Sequence, residues 1–267
     1  MSADPHGDPF EPHAASRDSP ESAQSPDLLV HAGKPLVIHR VVALLEVLIC
    51  SDYPTQTALG ATFTLFGFGP TSTDGRLNVG FVVALSLTDT ALLVALMFFF
   101  LYVHGERPRE VFLGSRSVAR EASFGVPLIL AAIGIGIAIL ATIQRFVPTL
   151  HTVEHNPLQD LIRTPRDIWW FAIVVVVAGG VREELQRAFL LRRFEVWLGG
   201  ATVGVVVASV AFGAGHLLQG ADAAIATGAL GAFWGVVYLR RRSVVAPVVS
   251  HSGFNLLQIA QFLLTRH

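Results

Sequence analysis

Between residues 35 and 264 the chain returns repeatedly to apolar stretches long enough to cross a bilayer. A helix needs roughly 20 mainly apolar residues to span the hydrocarbon core. Candidate spans fall at 35–52, 77–103 and 122–146. A fourth begins at Ile168 and runs through AIVVVVAGGVREELQRAFLLRRFEVW (172–197), and three more cover 201–218, 222–239 and 246–264. A weaker stretch, TALGATFTLFGFG (57–69), reads as re-entrant, interfacial or a short extra span. The expected fold is therefore all-α, a polytopic transmembrane bundle of seven or eight helices over residues 34–267.

Composition agrees. Of 267 residues 52% are hydrophobic and 15% charged, against about 25% charged in an ordinary soluble domain. The net charge of -1 gives no global attraction to nucleic acid. The single cysteine, Cys50, excludes an intrachain disulfide and any cysteine-based metal cluster. Residues 1–33 are rich in Pro, Ser, Asp and Glu without an apolar run. Such a stretch buries too little surface to offset its ordering entropy, so a disordered polar tail is expected. It lacks the basic start and apolar core of a signal peptide.

Loop charge orders the spans. Arg107, Arg109, Arg116 and Arg120 follow the second, Arg192 and Arg193 the fourth, and Arg240, Arg241 and Arg242 the sixth. These are alternate loops, as the positive-inside rule requires. The loop between spans three and four balances its charges and reads as the outer side, with Trp169 and Trp170 as interfacial anchors. Seven spans put the N-terminus inside, and an eighth puts it outside. Thr227, Gly231 and Gly235 in span six recur at the four-residue spacing that lets helices approach closely in lipid.

Several polar residues interrupt these spans. A charge at the centre of a membrane helix costs at least a few kcal/mol and normally faces a cavity or a partner. Glu183, Glu184 and Arg187 follow the valine run, and either Glu183–Arg187 or Glu184–Arg187 can pair on one helical face. The Arg-paired carboxylate keeps its charge, while the other points elsewhere. His216 in FGAGHLLQG (212–220) follows Phe212 by one turn, and His251 and Asn255 in APVVSHSGFNLL (246–257) share a face. Alone, the carboxylate group reads equally well as a salt-bridged helix end, His216 reads more often as a helix-end histidine, and His251–Asn255 reads as the interhelical hydrogen bond common in membrane bundles. Together they bring a carboxylate pair, two imidazoles and an amide from three helices, which is the inventory of a hydrolytic site. Asp89 is expected to form a structural pair with Arg40 across spans one and two.

The motifs Glu183-Glu184…Arg187, Phe212…His216 and His251…Asn255 resemble the CPBP family, the membrane proteases related to the type II CAAX prenyl endopeptidase and bacterial Abi proteins. The lead-in LRRRSVVAPVVSHSGFN is similar too, and the resemblance covers about 165–260. One departure stands out: the family spaces its motif Glu-Glu-x-x-x-Arg, whereas Arg187 comes one residue early, and Ala188 replaces the usual Gly. Aligning the Glu pair fits Glu183 and Glu184. Aligning the Arg puts Arg182 in place of the first Glu.

The resemblance implies an intramembrane endopeptidase in which Glu183 or Glu184 takes a proton from water. His216 would help hold that water, and His251 and Asn255 would stabilise the oxyanion, with Arg187 and Phe212 in support. Glu183, His216, His251 and Asn255 are also a conceivable Zn²⁺ ligand set with an open water position, although no HExxH helix is present. The implied partners are the bilayer and a membrane-anchored peptide or protein, prenylated chains among them, and the implied location is a bacterial inner membrane. Two rival readings are a non-catalytic adaptor or immunity protein, which the shifted Arg favours, and a proton-coupled transporter using Asp89, Glu183 and the histidines. On straight-helix counting His216 lies too far from Glu183 and His251, so span five is expected to be tilted, broken or started early.

Overall fold

The computed structural model describes residues 26–72, 75–154 and 156–265, with side chains from residue 37 onward. The helical bundle is one compact unit that begins at His39. The tail expected over 1–33 lies outside the described residues as far as position 25. From Pro26 the backbone is helical, within the stretch assigned to that tail.

The described elements are helical throughout. They are α1 (Pro26–Ile49), α2 (Tyr53–Leu65), α3 (Val79–Val103), α4 (Pro108–Phe112), α5 (Val118–Phe146), α6 (Pro165–Val174), a π-helical segment (Val175–Arg182), α7 (Glu183–Trp197), α8 (Ala201–Ala214), α9 (Ala221–Arg241) and α10 (Val245–Thr265). Three of them, α3, α5 and α9, are long and apolar enough to cross a membrane by length and composition. The chain is an integral membrane protein built as a helical bundle. The weak stretch at 57–69 falls on α2, whose 13 residues rise only about 20 Å, short of the ~30 Å core.

Two ends of the bundle can be told apart by their contacts. At one, Arg193 Nη1 meets Glu106 Oε2 at 2.7 Å, Arg242 Nη1 meets Glu195 Oε2 at 2.6 Å, and Val244 N donates to Phe112 O at 2.8 Å. The basic turns after α3, α7 and α9 therefore share one side, as the alternate-loop pattern requires. At the other end His151 Nδ1 meets Asp222 Oδ2 at 2.7 Å, and Arg163 Nη2 donates to Leu77 O at 3.1 Å.

The helix that carries the carboxylates starts sharply. Thr164 and Asp167 form a reciprocal capping box with Pro165 in the first turn. Burial opposes the Asp167 charge, but backbone and side-chain hydrogen bonds from Thr164 and the Arg163 N–H hold its carboxyl below the usual range. From Pro165 to Trp197 the helical path is unbroken and about 50 Å long, so Glu183 sits near its middle.

Glycine sets the α8–α9 crossing. A Cβ on Gly213 would lie 2.7 Å from Ala224 O, and one on Gly228 would lie 3.1 Å from Ser209 O. The close-packing stripe read at Thr227, Gly231 and Gly235 is thus only partly realised. Gly231 accepts the Phe212 ring, Gly235 has ordinary contacts, and the backbones meet at Gly228, one residue after Thr227. Gly213→Ala should destabilise the bundle by about 1–3 kcal/mol through overpacking. Thermal unfolding in detergent should show a lower Tm for it than for Gly134→Ala, whose Cβ meets nothing within 4 Å.

Candidate active site

A run of valines followed by Gly179 and Gly180 is poor α-helix material, and here the backbone widens into π turns over Val175–Arg182. The N–H of Glu183 bonds back to Ala178 O, five residues away. Such widened turns cluster at functional sites. The glycines also admit α10: a Cβ on Gly179 would lie 2.9 Å from Asn255 Nδ2, and one on Gly180 would collide with Ser252 Oγ. Asn255 Nδ2 donates to Val175 O at 3.3 Å, tying α10 to the widened segment.

The two glutamates part company at once. Glu184 is buried, ion-paired with Arg187 three residues on, and its Oε1 lies 2.8 Å from His251 Nδ1. Glu183 turns the other way; its side chain is 16% exposed, against 1% for Glu184. Its Oε2 faces His251 Nε2 at 3.8 Å, and its Oε1 lies 3.7 Å from Arg182 Nη2. Of the two pairings that the spacing allows, Glu184–Arg187 is the one formed.

Aromatic rings fix this set. Trp234 stacks on His251 with centroids 3.8 Å apart, Phe212 meets it edge-on at 6.1 Å, and Trp234 Nε1 donates to Ser250 Oγ at 3.1 Å. Arg187 lies over Phe212 at 4.9 Å and over Trp234 at 5.7 Å, which offsets part of the desolvation of its charge.

His216 reaches the same place because α8 stops early. At 14 residues it rises about 21 Å and ends at Ala214, where Gly215 begins a turn. His216 Nδ1 lies 2.8 Å from Phe212 O. A carbonyl only accepts, so Nδ1 carries the proton and Nε2 is left with the lone pair in the neutral ring. The break expected in span five is present, at its end.

Glu183, His216, His251, Asn255 and Phe212 line one cavity of about 430 Å³. Glu184 and Arg187 stand behind it. Leu140, Leu158, Ile162, Phe171, Ile259 and Phe262 furnish apolar wall. Residues 165–257 match the family model described as type II CAAX prenyl endopeptidase Rce1-like. This stretch is similar to the Rce1-like family domain. No curated protein and no solved structure matches the chain significantly. The Rce1-like match covers Glu183, Phe212, His216, His251 and Asn255 of that lining, and at family level it associates the chain with CAAX-type membrane proteases.

The zinc reading fits the domain poorly. Among the described residues no three His, Cys, Asp or Glu side chains are grouped so as to hold a metal ion, whereas a catalytic zinc takes three protein ligands. The expected Asp89–Arg40 pair is absent among the described contacts. Asp89 is fully buried and lies against Asp52 and Thr55 with Arg182 nearby, because the α1–α2 corner turns Asp52 inward. Glu46, the other acid of span one, pairs with Arg193 at 2.5 Å and His104 at 2.5 Å. Trp234 and the π-helical segment do not stand out in the sequence, although the Val-Val-Val-Ala-Gly-Gly run signals weak α-helix.

Removing one partner of a buried ion pair typically costs about 3–5 kcal/mol. Arg187→Leu should therefore lower the detergent Tm sharply. Glu183→Gln, at the cavity wall, should leave it near wild type.

Proposed function

We propose that the chain is an intramembrane endopeptidase that hydrolyses a peptide bond of a membrane-associated substrate by carboxylate-activated water. What carries this reading is the lining of one cavity by Glu183, His216, His251 and Asn255, with Glu184–Arg187 locked behind His251. Its volume suits a short segment of ligand, and its apolar wall suits a lipid-embedded or prenylated chain end.

In this mechanism Glu183 removes a proton from a water held against His216 Nε2. The water oxygen attacks the scissile carbonyl carbon, and the negative charge moves to the carbonyl oxygen. Asn255 Nδ2 and His251, acting as an imidazolium with Nδ1–H on Glu184 and Nε2–H toward the cavity, stabilise that oxyanion, the C–N bond breaks, and the proton on Glu183 passes to the leaving amine. Glu184 holds the His251 ring through Nδ1 and supports its charge, in the manner of a carboxylate behind a catalytic histidine. A positioned base contributes about 10²–10⁴-fold in rate and an oxyanion donor about 10²–10³-fold.

The shortened Glu-Glu-x-x-Arg spacing, which favours a non-catalytic protein at the level of sequence, leaves the carboxylate–guanidinium pair formed. The formed pair supports the catalytic reading over the non-catalytic one. The reading is tested with purified protein and a quenched-fluorescent farnesylated peptide ending in a CAAX-type sequence, beside its unprenylated form and a single-span membrane peptide. Glu183→Gln and His251→Ala should each lower cleavage by about 10²–10⁴-fold with normal folding. Cleavage unchanged in both variants, or no cleavage of any of the three peptides, would contradict it.

A further inference from the structure

Asp52 occupies the N-cap position of α2, where an Asp side chain ordinarily accepts a hydrogen bond from the first turn. It makes no such bond. Its backbone sits at φ 81°, ψ -37°, a strained conformation for a residue other than glycine, and such strain gathers at functional positions. The forgone cap and the strained turn together bring its carboxylate into the bundle. There Oδ2 meets Arg182 Nη1 at 2.9 Å and accepts from Gln56 Nε2 at 2.7 Å.

Arg182 is 5% exposed and immediately precedes the two glutamates. Its Nη1 also donates to Gln186 Oε1 at 2.8 Å, and Gln186 Nε2 donates to Cys50 O at 2.7 Å. Its Nη2 faces Glu183 Oε1 at the longer 3.7 Å. Arg182 is therefore held by Asp52 and Gln186 and only approaches Glu183. Asp89, from α3, faces the same cluster. Both its oxygens, Asp52 Oδ1 and Arg182 Nε are buried with no hydrogen-bond partner among the described residues. Buried polar atoms left unpaired call for an explanation other than stability.

The geometry points to Asp52 as a positioning residue for the proposed hydrolysis: it draws Arg182 away from Glu183, so that the Glu183 carboxylate stays turned into the cavity. The inference rests on the assignment of Glu183 as base. Without the Asp52 charge, Arg182 would close on Glu183 and turn its carboxylate from the cavity toward a tight ion pair. Misplacement of a catalytic group on that scale costs up to about 100-fold in rate. Substrate binding along the apolar wall would be untouched, so the loss falls on kcat and spares KM.

The test measures kcat and KM on the peptide that the wild-type protein cleaves, with Tm recorded for every variant. Asp52→Asn should lower kcat by about 10–100-fold at unchanged KM, and Asp52→Glu, which keeps the charge, should recover most of it. In an Arg182→Gln background Asp52→Asn should add nothing, because Asp52 acts through Arg182. If Asp52→Asn does not fold, Arg182→Lys reports instead. It keeps the charge and loses the two-sided grip, and it should lower kcat at unchanged KM. Wild-type kcat in Asp52→Asn, or in Arg182→Lys where that variant reports, overturns the inference. So do losses that simply multiply in the double variant, or a loss that falls on KM. If Glu183→Gln abolishes cleavage while Asp52→Asn keeps wild-type kcat, only this inference fails. If Glu183→Gln leaves cleavage intact, the proposed function fails and this inference with it.

Discussion

The contact on which the candidate site depends is the buried set formed by Glu184, Arg187 and His251. Burying a carboxylate and a guanidinium is costly and stabilises little unless their remaining atoms are satisfied. Here Arg187 lies over the Phe212 and Trp234 rings, and Arg187 and His251 Nδ1 both meet Glu184 Oε1, while Glu184 Oε2 is buried with no hydrogen-bond partner among the described residues. One glutamate is spent on holding α7 to α10 and on fixing the His251 ring. The adjacent residue on the helix then necessarily projects on another face, about 100° round, and Glu183 is delivered to the cavity wall. Two neighbouring carboxylates thus acquire different surroundings from a single ion pair.

Depth is the second constraint. Groups from three helices meet only if each lies at the same level. The capping box at Thr164 starts the carboxylate helix early enough that Glu183 falls near mid-length, and α8 ends after 14 residues, so that His216 comes from a turn inside the bundle. Glycines make both fits possible: Gly213 and Gly228 at the α8–α9 crossing, and Gly179 and Gly180 where Asn255 and Ser252 press on the widened helix.

Much of this is legible in the residues themselves. Apolar length locates α3, α5, α9 and α10 to within a few residues, because crossing lipid demands that length and little else. The four motif positions, Glu183, His216, His251 and Asn255, stand out because polar groups in lipid need a reason. Which glutamate faces the cavity is not legible, since Arg187 can pair with a residue three or four positions back. The π-helical widening is invisible to a reading based on a 3.6-residue period. Helix order alone pairs Asp89 with Arg40, because it cannot show that the α1–α2 corner carries Asp52 inward. Trp234, an ordinary apolar residue in span six, becomes part of the site only when packing lays it against His251.

The division of labour between the two glutamates is most directly tested by thiol accessibility. In a Cys50→Ala background, Glu183→Cys and Glu184→Cys are each exposed to a small charged methanethiosulfonate reagent in detergent, and the labelled fraction is followed by mass spectrometry. The account predicts rapid labelling at position 183 and protection at position 184 in folded protein. Protection at 183 with labelling at 184, or equal labelling at both, would contradict it.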